Sequence, residues 1–178
     1  TVYERLNALP DAVCERVFFP DPEDADEFSR TGTEPFSLES LRPLREFDIV
    51  GFSVTYEGDY INVLRLLRMA GIPVRAADRG PGDPLVLMGG VCAFSNPEPM
   101  APFMDAIAVG EGEELVGEIV AAYAACRASG QEGLRPAVIE RLKPLQGIYV
   151  PAAYEVSYAS DGTIEAVTPR EPAVPALV

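Results

Sequence analysis

Two short apolar runs, Leu85–Met88 and Ala106–Val109, are each stopped by glycine at the C-terminal end and each followed by a segment of helical spacing. Continuous rather than alternating apolar runs mark parallel strands, which are buried on both faces and joined by crossover helices. A third run, Phe47–Val54, has the same character and leads into Thr55 and Tyr56. Between the runs, Tyr60–Ala70 carries a helical stripe of Ile61, Val63, Leu64, Leu66, Leu67 and Ala70, closed by Gly71 with Pro73 beyond. Ile72–Ala76 reads as an extended piece and Asp78–Asp83 as a loop. The pattern is a βα alternation, and ligands on such sheets sit outside the carboxyl ends of the strands.

Towards the N-terminus, Thr1–Leu9 has helical spacing and reads as the tail of a helix with no capping signal before it. Ala12–Phe19, rich in valine and phenylalanine, predicts an edge strand, and Phe36–Leu38 a second one before a connecting turn over 39–45. Between them, Pro20–Thr31 has acids early and Arg30 late, which suits the dipole of a short helix. Past Glu113 a long helix is expected to about Ser129, a break over Gly130–Gly133, and a further helix over Pro136–Leu142. Gly147–Pro151 reads as a turn into extended chain. Tyr154–Tyr158 and Thr163–Val167 flank Ala159–Gly162, whose Asp-Gly signals a hairpin, and a proline-rich linker follows.

The expected fold is therefore α/β: a doubly wound, flavodoxin-like (Rossmann-like) parallel sheet with helices on both faces and a C-terminal β-hairpin. Residues 1–147 form the α/β domain and 148–178 the hairpin and linker. In that fold the first strand is central, and here the chain begins inside the helix that follows it. Either that strand lies outside the sequence or the sheet is rearranged.

Composition narrows the function classes. A hydrophobic content of 48% and a charged content of 24% over 178 residues are those of a globular protein. No apolar run approaches a membrane span and no signal peptide opens the chain, so a cytoplasmic protein without a membrane partner is expected. The net charge of −14 repels phosphate backbones, which argues against direct nucleic-acid binding. Cys14, Cys92 and Cys126 lie too far apart for a metal or iron–sulfur site. Histidine is absent, which removes imidazole bases, histidine metal ligands and Ser–His triads. No catalytic residue and no metal site is expected in this chain.

The candidate chemistry is concentrated at the strand tips. Ser53 and Thr55 offer small hydroxyls that can hydrogen-bond a ring nitrogen or ribose. Gly89 and Gly90, with Val91 next to them, let a flat ring approach the backbone where a Cβ would clash. Gly110, Glu111 and Gly112 stand at a strand-to-helix junction; the carboxylates disfavour direct phosphate binding, but amides at the helix start can take the polar end of a cofactor. Tyr56 can cover a bound ring or pack on the sheet edge, and Asn62 follows it. Cys92 has nothing basic near it in sequence and reads as a small buried residue.

The motifs FDIVGFSVT and LVLMGGVCAF resemble the second and third signatures of the cobalamin-binding domain, Ser-x-Leu or Ser-x-Thr ending its third strand and Gly-Gly ending its fourth. A closer likeness runs through FSLESLRPLREFDIVGFSVTYEGDYINVLRLLRMAGIPVRAADRG, PLVLMGGVCAFSNPEPMAPFMDAIAVGEGEE and GIYVPAAYE. These segments look like the N-terminal region of a family of radical S-adenosylmethionine (SAM) proteins that carry a cobalamin-binding-like domain. The likeness implies an accessory domain that holds the nucleotide tail of a cobalamin (B12) at the carboxyl edge of the sheet. Its partner is a radical SAM barrel elsewhere in the parent protein, and SAM and a 4Fe-4S cluster belong to that barrel. A similar GEGE run in related proteins implies a cofactor-tail contact at Gly110–Gly112. Two departures stand out: the Asp-x-His-x-x-Gly signature is missing, so any cobalamin would be base-off without a protein ligand, and the Cys-x-x-x-Cys-x-x-Cys motif is missing as well. The alternative is a degenerate domain that keeps the fold, binds nothing and serves as a structural or docking cap. A flavin-binding reading is weaker, because flavodoxin-like phosphate loops follow the first strand.

Overall fold

A computed structural model describes residues 1–130 and 133–176. Its elements are α1 (Val2–Asn7), α2 (Pro22–Thr31), β1 (Ile49–Ser53), α3 (Tyr60–Met69), β2 (Leu85–Gly89), α4 (Val91–Ser95), β3 (Ala106–Ala108), α5 (Gly112–Ala128), α6 (Leu134–Leu142), β4 (Ile148–Tyr149), β5 (Tyr154–Tyr158) and β6 (Ile164–Pro169), with single turns of 3-10 helix between some of them. The α/β class, the parallel strands and the C-terminal hairpin are as the sequence predicts. Part of the predicted Gly130–Gly133 break and the end of the linker lie outside the described residues.

The main sheet has the order β1-β2-β3-β4. β1, β2 and β3 run parallel, while β4 is antiparallel to β3. The sheet is thus mixed, consistent with a flavodoxin-like fold, and β4 is where the predicted turn at Gly147 delivers its extended chain. The order is consecutive, so the described strands wind in one direction. Ligand crevices open where strand order reverses, and no such reversal falls between any two of these strands.

Register assigns the faces, because paired residues share one and neighbours along a strand alternate. Val50, Val86, Met88, Ile107 and Tyr149 lie on one face, all at 4% exposure or less. Gly51, Ser53 and Gly89 lie on the other, where Gly51 and Ser53 are exposed. The Leu85 N–H donates to the Asp48 carbonyl at 3.0 Å and the Val54 N–H to the Gly89 carbonyl at 2.9 Å. The even-numbered residues of β1 therefore turn their backbone groups to β2. Those of Ile49, Gly51 and Ser53 face the outer edge, where no strand pairs among the described residues.

α3 buries Val63, Leu66 and Leu67, three members of its predicted stripe, and closes on Gly71 at φ +67°. In α1 the N-cap is Thr1. The Thr1 hydroxyl accepts the Glu4 N–H at 3.3 Å and the Glu4 carboxylate returns a bond, which makes a capping box.

Three predicted extended pieces are not strands. Ala12–Phe19 has the propensity but no continuous ladder: one backbone bond, from the Leu38 N–H to the Arg16 carbonyl at 2.9 Å, reaches it, and side chains take two of its amides, the Cys14 N–H donating to Asn7 Oδ1 at 3.0 Å and the Arg16 N–H to Glu39 Oε2 at 2.8 Å. Phe36–Leu38 is reduced to a single bridge between Phe36 and Pro43. Ile72–Ala76 leads into a 3-10 turn over Ala76–Asp78, because β2 starts later and occupies the place beside β1.

At the amino edge of the sheet Asp105, 4% exposed, gathers the connections. It accepts from the Val86 N–H at 2.8 Å, from Arg79 Nη2 at 3.1 Å, and from Arg135 Nε at 3.1 Å and Nη2 at 2.7 Å. The two guanidiniums also donate to the carbonyls of Pro73, Phe103, Ala76 and Arg79, tying α6 and two loops to one carboxylate. Burial pushes the Arg79 pKa down, and Asp105 opposes that shift. On β4 the Tyr149 hydroxyl donates to Glu98, and burial followed by that carboxylate pushes its pKa far up.

Candidate functional site at the carboxyl edge of the sheet

Three strand tips meet at the carboxyl edge. Ser53 is in register with Gly89, and Val54 is bonded to Gly89 from the next position. β3 stands one strand further on, so the Ser53 and Ala108 backbones are about 10 Å apart at ordinary strand spacing. Gly110, Glu111 and Gly112 continue from β3 into α5. The structure thus brings the three predicted groups onto one edge, in neighbouring positions.

The hydroxyls of Ser53 and Thr55 are exposed and have no hydrogen-bond partner among the described residues. Tyr56 is 66% exposed, its ring folded over its own loop where a Cβ on Gly58 would stand. The Asn62 amide is engaged within its own helix start, donating to Asp59 Oδ1 at 3.1 Å.

The two glycines differ. Gly90 has φ +102° and ψ −177°, a region essentially closed to other residues, and a Cβ there would lie 2.5 Å from the Val54 carbonyl oxygen. The space a side chain would fill is taken by the chain's own backbone, and the turn lets the Cys92 N–H donate to that same oxygen at 3.2 Å. Gly89 has an ordinary strand conformation, and a Cβ on it would make only ordinary van der Waals contact with Ala108, 3.8 Å from its Cβ and 3.9 Å from its carbonyl oxygen. Packing within the chain asks for glycine at 90 and not at 89.

After Gly90 the short helix α4 buries Cys92 and Ala93 and leaves Val91 62% and Phe94 72% exposed. Cys92 is the small buried residue the sequence suggests. Phe94 escapes a reading that stops at the Gly-Gly motif; its signal is the three-residue spacing from Val91, which places both on one helical face. On the third tip, Gly110 has φ +123°, and α5 starts at Gly112 with Glu113 and Glu114 in its first turn. No lysine or arginine lies within 53–59, 89–95 or 109–114, while Glu57, Asp59, Glu111, Glu113 and Glu114 do. The edge is acidic with an apolar patch.

The edge matches the tail of a cobalamin in part. Open hydroxyls, the bare floor at Gly89 and the amides entering α5 suit an uncharged planar and hydroxylated group, but no cation stands ready for a phosphate. No group of three or more metal-ligating side chains occurs among the described residues, and none of their helices is long and apolar enough to cross a membrane. Residues 1–151 match the family model described as radical SAM proteins, N-terminal. No curated protein and no solved structure matches the chain.

Proposed function

We propose that this chain, which belongs to the family of N-terminal domains of radical SAM proteins, is the cobalamin-binding module of its parent. As a member of that family it is an accessory domain, and the catalytic domain with its SAM and iron–sulfur cluster lies elsewhere in the parent protein. In this reading the nucleotide tail of a cobalamin lies against β1 and β2 at their carboxyl ends. Ser53 and Thr55 supply hydroxyls, Gly89 the flat floor, Tyr56 and Val91 apolar cover, and the Gly110–Glu111–Gly112 amides meet the polar end. Cobalamin, when bound, supplies an alkylatable and redox-active cobalt. The chain's own part is to bind and orient, and without histidine it offers the cobalt no imidazole ligand.

The observation that carries this reading is Gly89. Glycine within a strand weakens it, by roughly 0.5–1 kcal/mol relative to alanine, and marks places where a ligand or another backbone comes close. At Gly89 the chain itself has room for a Cβ. The test is a titration of the intact parent protein with hydroxocobalamin, followed by visible absorbance and calorimetry. Saturable base-off binding, lost in Gly89→Leu and weakened in Thr55→Val, is expected. Failure of the parent to bind, or binding indifferent to both changes, overturns the reading.

A second reading, a domain that binds nothing and serves as a structural or docking cap, is favoured by Gly90. That glycine is fully accounted for by the Val54 backbone, so half of the motif needs no ligand. Absence of binding by the parent selects it.

A further inference from the structure

β5 and β6 pair so that Tyr154 stands opposite Pro169, Val156 opposite Val167 and Tyr158 opposite Ile164. These pairs share one face. Glu155 with Thr168 and Ser157 with Ala166 occupy the other. Between Ala166 and Ile164 the register shifts, leaving Glu165 as an extra residue. In an unbroken ladder of period two, Ile164 would fall on the polar face with Ala166. The shift turns it onto the apolar face, the kind of re-aiming that a bulge performs.

Burial along that face falls steadily from base to tip: Tyr154 is 5% exposed, Val167 42%, Ile164 43% and Tyr158 56%. The base is well fastened. The Tyr154 hydroxyl donates to the Pro175 carbonyl at 2.9 Å and the Arg170 N–H to the Ala153 carbonyl at 2.8 Å, while nearer the tip the Tyr158 hydroxyl donates to Glu98 Oε2 at 3.3 Å. The Tyr154 ring also packs on Tyr149, with centroids 5.1 Å apart. A lone two-stranded hairpin is marginal in water. This one is anchored at its base and carries an uncovered apolar strip at its tip.

We propose that this strip, Val156, Tyr158, Ile164 and Val167, is the surface on which the radical SAM catalytic domain of the same polypeptide docks. The occupant follows from two observations. The family match ends at residue 151 and β5 starts at Tyr154, so the hairpin is the first element past the matched region of a domain that accompanies a catalytic domain. The strip is also uncharged on a chain of net charge −14, with Glu155 and Glu165 kept off it, which suits an apolar protein surface rather than a cationic partner. The inference rests on family membership and holds whether or not the sheet edge takes a cofactor.

The test is hydrogen–deuterium exchange on the intact parent protein, comparing wild type with Ile164→Asp/Val167→Asp on the apolar face and Glu155→Lys/Thr168→Lys on the polar face. In the wild type, the amides of 156–167 are expected to be protected at least tenfold beyond those of the apolar-face variant. The polar-face variant should match the wild type, and β1–β3 should be unchanged in all three. Fast exchange over 156–167 in the wild-type parent overturns the proposal, as do equal effects of the two variants. A concentration-dependent dimer abolished by the apolar-face change, with a monomer whose hairpin exchanges freely, assigns the strip to a second copy and overturns it as well.

Discussion

Gly90 and Val54 are in backbone contact across the loop that follows β2: a Cβ on Gly90 would lie 2.5 Å from the Val54 carbonyl oxygen and 3.0 Å from its carbonyl carbon and amide nitrogen. The position also has a backbone conformation available essentially to glycine alone. Gly90→Ala should cost about 1–3 kcal/mol for conformation, with the overlap added. Gly89→Ala should stay within about 1 kcal/mol of the wild type, with the gain in strand propensity acting in its favour. Urea denaturation of the two variants checks this. Equal losses would mean that the asymmetry of the pair is not as described.

Asp105 holds two guanidiniums that are themselves buried, Arg79 at 0% and Arg135 at 10% side-chain exposure. Asp105→Ala leaves both without their counter-charge, and breaking a buried pair from one side costs about 3–5 kcal/mol. Asp105→Asn keeps one acceptor oxygen, which at the Oδ1 position serves both guanidiniums, and should lose less. The expected order in denaturation midpoint is wild type, then Asn, then Ala. A surface-like loss of under 1 kcal/mol for Asp105→Ala would contradict a buried hub.

Tyr123 on α5 donates to Asp48 Oδ1 at 2.9 Å, and its pKa is pushed up to about 12, by burial first and by Asp48 second. A tyrosine in an unfolded chain ionises near about 10. The folded value is the higher one, so this contribution to stability is complete below pH 10 and is lost as the pH rises towards 12. Alkaline titration of phenolate absorbance should show a late component that Tyr123→Phe removes. The same variant should flatten the fall of stability over that window.

What the sequence makes legible is what it encodes locally. Leu85–Met88 and Ala106–Val109 are continuous apolar runs because both faces of their strands are covered, and the structure places strands there. Ala12–Phe19 has a strand's composition, but a ladder needs a paired strand, and this segment has one backbone bond to Leu38 while Asn7 and Glu39 take the amides of Cys14 and Arg16. β4 is two residues long, too short for any periodicity, and is defined by its register with Ile107 and Ala108. The hub at Asp105 joins residues 26 and 30 positions away, a relation no window of sequence contains. At the candidate site, the tips at Ser53, Gly89 and Gly110 are legible because strand ends coincide with small residues. The difference between Gly89 and Gly90 is not, since it depends on where the Val54 carbonyl falls.

The outward-facing backbone groups of Ile49, Gly51 and Ser53 bear on how copies of this polypeptide behave in bulk. A sheet margin with no lysine, proline or bulge is a template for strand addition, and what separates two such margins at neutral pH is mutual repulsion between molecules of net charge −14. Acidification towards the isoelectric point near 4.3 removes that repulsion while the ladder is still folded. Colloidal association is therefore expected to precede acid unfolding, seen as light scattering that rises before sheet circular dichroism is lost. Gly51→Lys, placed on the margin itself, should move the onset to lower pH; scattering that only follows unfolding would show that the margin takes no part.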